Sequence, residues 1–123
     1  MKNGESGKGS ELRERVFEFA CAVLELHRLV YRREPSLRNA SFQAANASSS
    51  IGANLEEADA AQSRADFISK CTIALKEARE SRYWLRILNR ILGGSRRIPP
   101  LVNEATEIVA ILTTIVRKTK ERA

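Results

Sequence analysis

Basic side chains recur along one helical stretch of the chain, with an aromatic residue among them. At 100° per residue, four arginines fall within an arc of about 80°, namely Arg79, Arg82, Arg86 and Arg90. Tyr83 lies beside them. Guanidinium groups bind phosphates and an aromatic ring stacks on bases, so the pattern is typical of a surface that tracks single-stranded RNA or DNA. Arg96 and Arg97, and the basic cluster from Arg117 to Arg122, would extend such a surface.

The same stripe is also compatible with a plain solvated helix face. Glu77 and Glu80 lie on the same helix and would neutralise part of the charge locally through helical pairs. The net charge of +6 favours attraction to phosphate backbones, anionic lipid heads or acidic proteins, but many structural proteins are mildly basic as well. Both interpretations stay open at this level.

Residues that could perform catalysis or bind a metal are few. His27 is the single histidine, no Ser, His and Asp set suggests itself, and we expect no enzyme activity. Four carboxylates near the second connection form a possible cation site: Glu56, Glu57, Asp59 and Asp66. The duplicated Glu-x-x-His motifs of di-iron bundles are absent, so solvated charge at helix ends is the better interpretation. We predict no metal, no cofactor and no small-molecule substrate.

Composition predicts one helical domain. The chain has 123 residues, of which 43% are hydrophobic and only 6% aromatic. Residues 1–9 lack periodicity and predict a disordered tail, which leaves 10–123 as a single domain. No apolar run approaches the roughly 20 residues that span a bilayer. Cys21 and Cys71 fit buried hydrophobic residues of a reducing compartment, so we expect a cytoplasmic protein without membrane contact.

Hydrophobic periodicity predicts four helices. The first begins at an N-cap, Ser10, and ends near Arg33, before Glu34-Pro35-Ser36 interrupts the chain; Ser36 can cap the next helix. Beside its main apolar line, this helix carries a second line whose members repeat every seven residues: Phe17, Leu24 and Tyr31. The resulting face is wider than one helix partner usually needs.

The second helix, from about Leu37 to Ala60, is built from small residues. Ser50 and Gly52 have poor helix propensity, so tertiary packing must hold this helix together, with a bend near Gly52. Asn54 falls on the apolar stripe. We predict a buried amide that fixes helix register, with a ligand contact as the alternative.

The third helix, capped by Ser63 and stopped by Gly93-Gly94, carries two apolar lines that lie about 100° or more apart. One line suits the core. The other predicts a contact between copies of the chain, and its members are Ile73, Trp84, Ile87 and Ile91. A fourth helix starts at Ile98-Pro99-Pro100. Short connections predict an all-α, antiparallel up-down-up-down four-helix bundle.

These residues resemble a known family. Residues 50–58, Ser-Ile-Gly-Ala-Asn-Leu-Glu-Glu-Ala, resemble the Ser-Ile-Pro-x-Asn-Ile-Ala-Glu-Gly signature of the 23S rRNA intervening-sequence proteins, also called the S23 ribosomal family. Residues 63–68, 73–78 and 83–85 resemble the third helix of that family. The sequence departs from the pattern at Ala45-Asn46-Ala47, where members often carry Arg-Arg-Ala, and at Gly52, which replaces proline.

The resemblance implies a bundle that assembles into a ring-like homo-pentamer. It also implies a distant similarity to the accessory protein of diversity-generating retroelements, which assists reverse transcription through a basic surface. Two functional hypotheses follow. The chain is either a nucleic-acid-binding oligomer or an assembly module whose partner is another protein.

Overall fold

A computed structural model describes residues 3–122, with side chains from residue 9 onward. It contains four α-helices: α1 (Asn3–Arg33), α2 (Arg38–Asp59), α3 (Arg64–Ile91) and α4 (Ile98–Glu121). A short 3-10 turn, Pro35–Leu37, joins α1 to α2. Helices that follow one another in the chain pack directly, and α1 and α4 close the bundle through a smaller contact. The predicted all-α four-helix bundle is confirmed.

The helix ends follow the local chemistry of the chain. Ser63 has extended backbone and accepts a hydrogen bond from the Asp66 backbone N–H at 3.0 Å, so it caps α3 as predicted. After α3, the chain reverses at Gly94, whose φ of 98° is readily adopted only by glycine. Ser36 does not cap α2, because it lies within the 3-10 turn and Leu37 takes the N-cap position.

Helix α1 begins at Asn3 rather than at the predicted Ser10. Residues 1–9, the predicted disordered tail, therefore overlap its first turns. Met1 and Lys2 lie outside the described residues. At the far end, the helix stops at Arg33, where Glu34 precedes a proline that the sequence marks as a helix breaker.

The core lies along the bundle axis and is formed by the main apolar line of each helix. On α2 this line is made of small residues, with Ala44, Ala47 and Ile51 nearly or fully buried. They allow α2 to approach α3 closely, where Ala74 and Ala78 have no exposed surface. The predicted small-residue stripe is therefore the part of α2 that faces the core.

Helix α4 is long and apolar enough to cross a membrane by length and composition alone. Its apolar line, however, belongs to the core of the bundle. Ala105, Ile108 and Leu112 have no exposed surface, and Leu101 and Val116 are buried beside them. Within its most apolar stretch, 33% is buried inside the bundle.

Candidate nucleic-acid interface

The arginines singled out in the sequence lie together on the outer side of α3. Arg79, Arg86 and Arg90 are exposed, and Arg82 is half-buried. Tyr83 lies among them and exposes 56% of its surface. The core line of α3 sets this arrangement: on the helical wheel Arg82 lies about 40° from the buried Ala78, at the edge of the core face, and Arg79 and Arg90 lie about 100° or more from it.

A groove at the end of α3 joins the arginines to apolar side chains. Its volume is about 490 Å³, and it is lined by Tyr83, Arg86, Ile87, Asn89, Arg90, Ile91 and, from α4, Val102. Two predicted surfaces therefore meet here. The residues proposed to bind nucleic acid and those proposed to contact another copy line the same depression.

Trp84 was expected to be uncovered on the second apolar line of α3, and the structure corrects this. Trp84 is half-buried and packs against the core, with Tyr83 edge-on to its ring at a centroid distance of 5.6 Å. Ile87 is also half-buried. The exposed members of the line are Ile73 at 39% and Ile91 at 60%.

Two arginines of α1 form ion pairs that tie helices together, whereas the arginines of the stripe form none among the described side chains. Arg15 binds Glu104 and Glu107 at 2.6 Å each, which ties α1 to α4. Arg13 contacts Asp59 at 3.1 Å and Glu56 at 3.9 Å, which ties α1 to α2. Within residues 9–122, no ion pair includes the four arginines of the stripe or the two that extend it: Arg79, Arg82, Arg86, Arg90, Arg96 and Arg97.

The two glutamates expected to neutralise the stripe do not pair with it. Burial raises the pKa of the Glu77 carboxyl, the nearby Glu80 raises it further, and Lys76 opposes the shift. A carboxylate paired with an arginine would have its pKa lowered instead. The charge of the stripe is therefore left open to an external anion.

The basic surface continues around one end of the bundle. Arg97 and Arg33 line a common cavity of about 320 Å³ with Glu34, at the end where α1 and α3 finish and α4 begins. Sequence reasoning missed Arg33, because only the fold brings the end of α1 beside the start of α4. The Arg117–Arg122 cluster lies at the opposite end, since the 24 residues of α4 extend roughly 36 Å.

The three residues proposed to set packing and register all lie on α2. A Cβ added to Gly52 would meet Val16 Cγ1 of α1 at 3.5 Å, an ordinary contact distance. Ser50 and Asn54 are half-buried, and Asn54 Nδ2 donates to the Ser50 carbonyl at 2.9 Å. The Asn54 amide thus bonds within its own helix, and no bond to another helix joins it among the described side chains.

The single histidine and the two cysteines are the remaining side chains that could react. His27 Nδ1 lies 2.6 Å from Ser41 Oγ, and its ring meets Tyr31 and Phe42 edge-on, which joins α1 to α2. Burial raises the pKa of the Cys71 thiol to about 11. Cys21 is exposed, contrary to expectation, because it lies about 140° from Val16 on the helical wheel of α1, on the side away from the core line.

Most of the carboxylates near the connection between α2 and α3 form ion pairs with basic side chains of the helices. Asp59 and Glu56 pair with Arg13, and Asp66 accepts from Lys70 Nζ at 3.1 Å at the start of α3. Glu57 is exposed. Across the part of the chain that the structure describes, no three His, Cys, Asp or Glu side chains are grouped so that they could hold a metal ion.

The chain is similar to known proteins both in sequence and in structure. The family model of the 23S rRNA-intervening sequence protein matches residues 9–114. A crystal structure of a protein of unknown function from the S23 ribosomal protein family of Bacteroides thetaiotaomicron is 40% identical, with a TM-score of 0.78. The match covers 85% of this chain and 97% of that one. Among curated proteins the comparison finds no match.

The family model covers all of α2 and α3, including the arginine stripe, and most of α1 and α4. The solved relative shares the fold at an identity well above the level where only architecture is conserved. The chain belongs to the 23S rRNA-intervening sequence protein family.

Proposed function

We propose that this protein is a non-enzymatic homo-oligomer, a pentamer by the family resemblance, that binds single-stranded RNA or DNA through the arginine stripe of α3. The observation that carries the proposal is the set of guanidinium groups without ion-pair partners around an exposed aromatic ring. By contrast, Arg13 and Arg15 of α1 pair with carboxylates of neighbouring helices. Those of the stripe tie nothing together, so their charge is available to phosphates.

The position of Tyr83 favours nucleic acid over other anions. Its ring is 56% exposed and lies one helical turn from Arg79 and next to Arg82 in the chain. A ring held between cations offers a base a surface for stacking while the cations hold the flanking phosphates. Arg96, Arg97 and Arg33 continue the basic surface at the end of the bundle.

Self-association would strengthen this binding without any new type of contact. Several copies of the stripe on one assembly raise the effective concentration of each site for a strand already bound at another. The exposed apolar side chains of α1 and α3 support the oligomer, because large uncovered hydrophobic groups on a small domain mark contact surfaces. The two cysteines are both free, which favours the reducing cytoplasm as the location.

A second candidate function is that of an assembly module whose partner is another protein. The observation that favours it is the exposed apolar line of α1, which lies on a different helix from the arginine stripe: Phe17 and Leu24 expose 59% and 44% of their surface. Under this alternative the protein assembles but does not bind nucleic acid.

The test is the affinity for a fluorescent single-stranded RNA, and for the DNA of the same sequence, measured by anisotropy as salt is raised. We expect a linear fall of log affinity with log salt for the unmodified protein. The pair Arg79→Glu and Arg82→Glu lies outside the groove and should weaken binding. It should also reduce the slope by about 0.7 for each phosphate that the protein no longer neutralises.

The matched control is the pair Lys118→Glu and Lys120→Glu, which makes the same charge change at the opposite end of α4. We expect it to retain the salt slope of the unmodified protein. Equal losses in both pairs would mean that net charge alone attracts the strand. No binding by an assembled, unmodified protein would contradict the proposal and favour the assembly module.

A further inference from the structure

Two separate apolar surfaces are exposed on one chain. The first is formed by Phe17 and Leu24, from the second apolar line of α1, together with the exposed Cys21 beside them; we call these three residues the α1 line. The second is the α3/α4 groove, where Ile91 is 60% exposed beside Ile87 and Val102. Helices α1 and α3 each pack on α2 and α4, which places them diagonally in the bundle. A chain cannot fold its own α1 line into its own groove.

The two surfaces agree in length. Phe17 and Leu24 are seven residues apart, which corresponds to roughly 10 Å along a helix. Tyr83 and Ile91, at the two ends of the groove on α3, are separated by roughly 12 Å by the same measure. Each surface is therefore about two helical turns long, so one can lie along the other.

The charges that border the two surfaces are opposite. Glu14, Glu18 and Glu25 are exposed and fall within an arc of about 40° directly beside the α1 line. Within the described side chains, Glu14 and Glu18 have no ion-pair partner, and Glu25 contacts only the exposed Arg28. Arg86 and Arg90 border the groove without ion pairs. The border of the α1 line is thus mainly acidic, with Arg28 as an exposed cation near its end, and the border of the groove is basic.

We propose that the α1 line of one copy docks into the α3/α4 groove of a second copy, with Glu18 and its acidic neighbours against Arg86 and Arg90. The proposal rests on the self-association included in the proposed function and names the surfaces that meet. Because the two surfaces differ, each copy has one of each free to bind a further copy. Such head-to-tail contacts close into a ring when the rotation between copies allows it.

The same contact divides the arginine stripe. Arg86 and Arg90 belong to the contact between copies, whereas Arg79 and Arg82 lie outside the groove and stay available to phosphates. Tyr83 lies at the boundary between the two parts. Nucleic acid and the second copy therefore use neighbouring, distinct arginines of one helix.

A charge exchange tests the contact by size-exclusion chromatography with light scattering. Glu18→Arg alone and Arg90→Glu alone place like charges opposite each other and should shift the mass from the assembly to the 13.8 kDa of one chain. Both changes in the same chain restore opposite charges across every contact and should restore the assembly. Glu57→Arg, an equal charge change on the exposed side of α2, is the control and should leave the mass unchanged.

The exposed Cys21 thiol gives a second measurement that does not depend on mass. In the assembly it lies under the partner and should react slowly with a thiol reagent, whereas in Glu18→Arg it should react fast. Cys71 is buried in the core and should react only on unfolding, so it reports that the variants remain folded.

The outcomes separate this inference from the proposed function. An unmodified protein that is monomeric at all concentrations would overturn both. An assembly that survives both single exchanges, or Cys21 rates that are equal in assembly and variant, would overturn the docking of these two surfaces and leave self-association standing. Single exchanges that dissociate the assembly without restoration in the double variant would overturn the pairing of Glu18 with Arg90.

Discussion

The inner and outer sides of α3 differ in nearly every physical property. The inner side is uncharged and closely packed, with Ala74, Ala78 and Leu85 fully buried. The outer side carries guanidinium groups without ion pairs, an exposed tyrosine and an exposed isoleucine. The inner side of α3 therefore contributes to the stability of the fold, and the outer side provides the groups that could bind a partner. Substitutions on the two sides should separate these quantities cleanly.

The largest expected effect comes from the inner side. Leu85→Ala removes a fully buried side chain and should lower the free energy of unfolding by about 2 to 5 kcal/mol, because a cavity remains in the core. The matched change on the outer side, Ile91→Ala, should alter the free energy of unfolding of the monomer by about 0.5 kcal/mol or less. Chemical denaturation of both variants measures the difference. Similar losses for the two would contradict the division of α3.

Loss of the ion pair between Arg15 of α1 and Glu104 of α4 should have an intermediate effect on stability, and this effect should depend on pH. The hydrogen bonds from Arg15 lower the pKa of the Glu104 carboxyl below its ordinary value. Because the pKa of Glu104 is lower in the folded protein than in the unfolded chain, where it is near 4.5, the ionised carboxylate stabilises the fold at pH values above 4.5. This stabilisation is lost as the pH falls through the folded-state pKa.

Glu104→Gln should therefore lower the melting temperature at neutral pH and lose this effect in acid. The change should correspond to about 1 kcal/mol or less, since the Arg15 side chain is 37% exposed and water screens the pair. Thermal melts at neutral pH and below about pH 4 measure it. A destabilisation that stays equal at both pH values would mean that the pair contributes by packing and not by charge.

The smallest expected effect is a gain in stability at Gly52. A Cβ at this position makes an ordinary contact with Val16 Cγ1 at 3.5 Å, and Gly52 lies within α2. Gly52→Ala should raise the free energy of unfolding by about 0.5 to 1 kcal/mol, because alanine loses less conformational entropy in a helix. A loss of stability in equilibrium denaturation would show that α2 has no room for a methyl group here.

The fold could be predicted from the sequence because its signals are local. The spacing of Val16, Phe19 and Val23 identifies the buried face of α1, and Ser63 and Gly94 determine where α3 begins and where the chain turns after it. The start of α1 was predicted wrongly, at Ser10, because Gly and Ser have poor helix propensity and their helical state depends on context.

The candidate site could be predicted only in part. The wheel of α3 places Arg79, Arg82 and Arg86 on one side, which the fold preserves. The covering of Trp84 depends on how far a large ring reaches over its neighbours, and the meeting of Arg33 with Arg97 depends on the bundle topology. Neither is a property of spacing within one helix, so periodicity could not reveal them.

Cys21 was expected to be buried because it lies in an apolar stretch of the sequence. On the helical wheel of α1 it lies about 140° from Val16, beyond the second apolar line, and the contact with α2 does not reach it. That contact covers Ala20 and leaves Cys21 outside. Sequence alone indicated that the face was wide but not where its covered part ended.

The central claim, an assembly that binds nucleic acid, is tested most directly by the mass of the full chain in solution. Light scattering measures this mass with and without single-stranded RNA. We expect one discrete assembly, about five times the 13.8 kDa of the single chain, that gains mass when RNA is added. A protein that stays at 13.8 kDa and binds no RNA would contradict the claim.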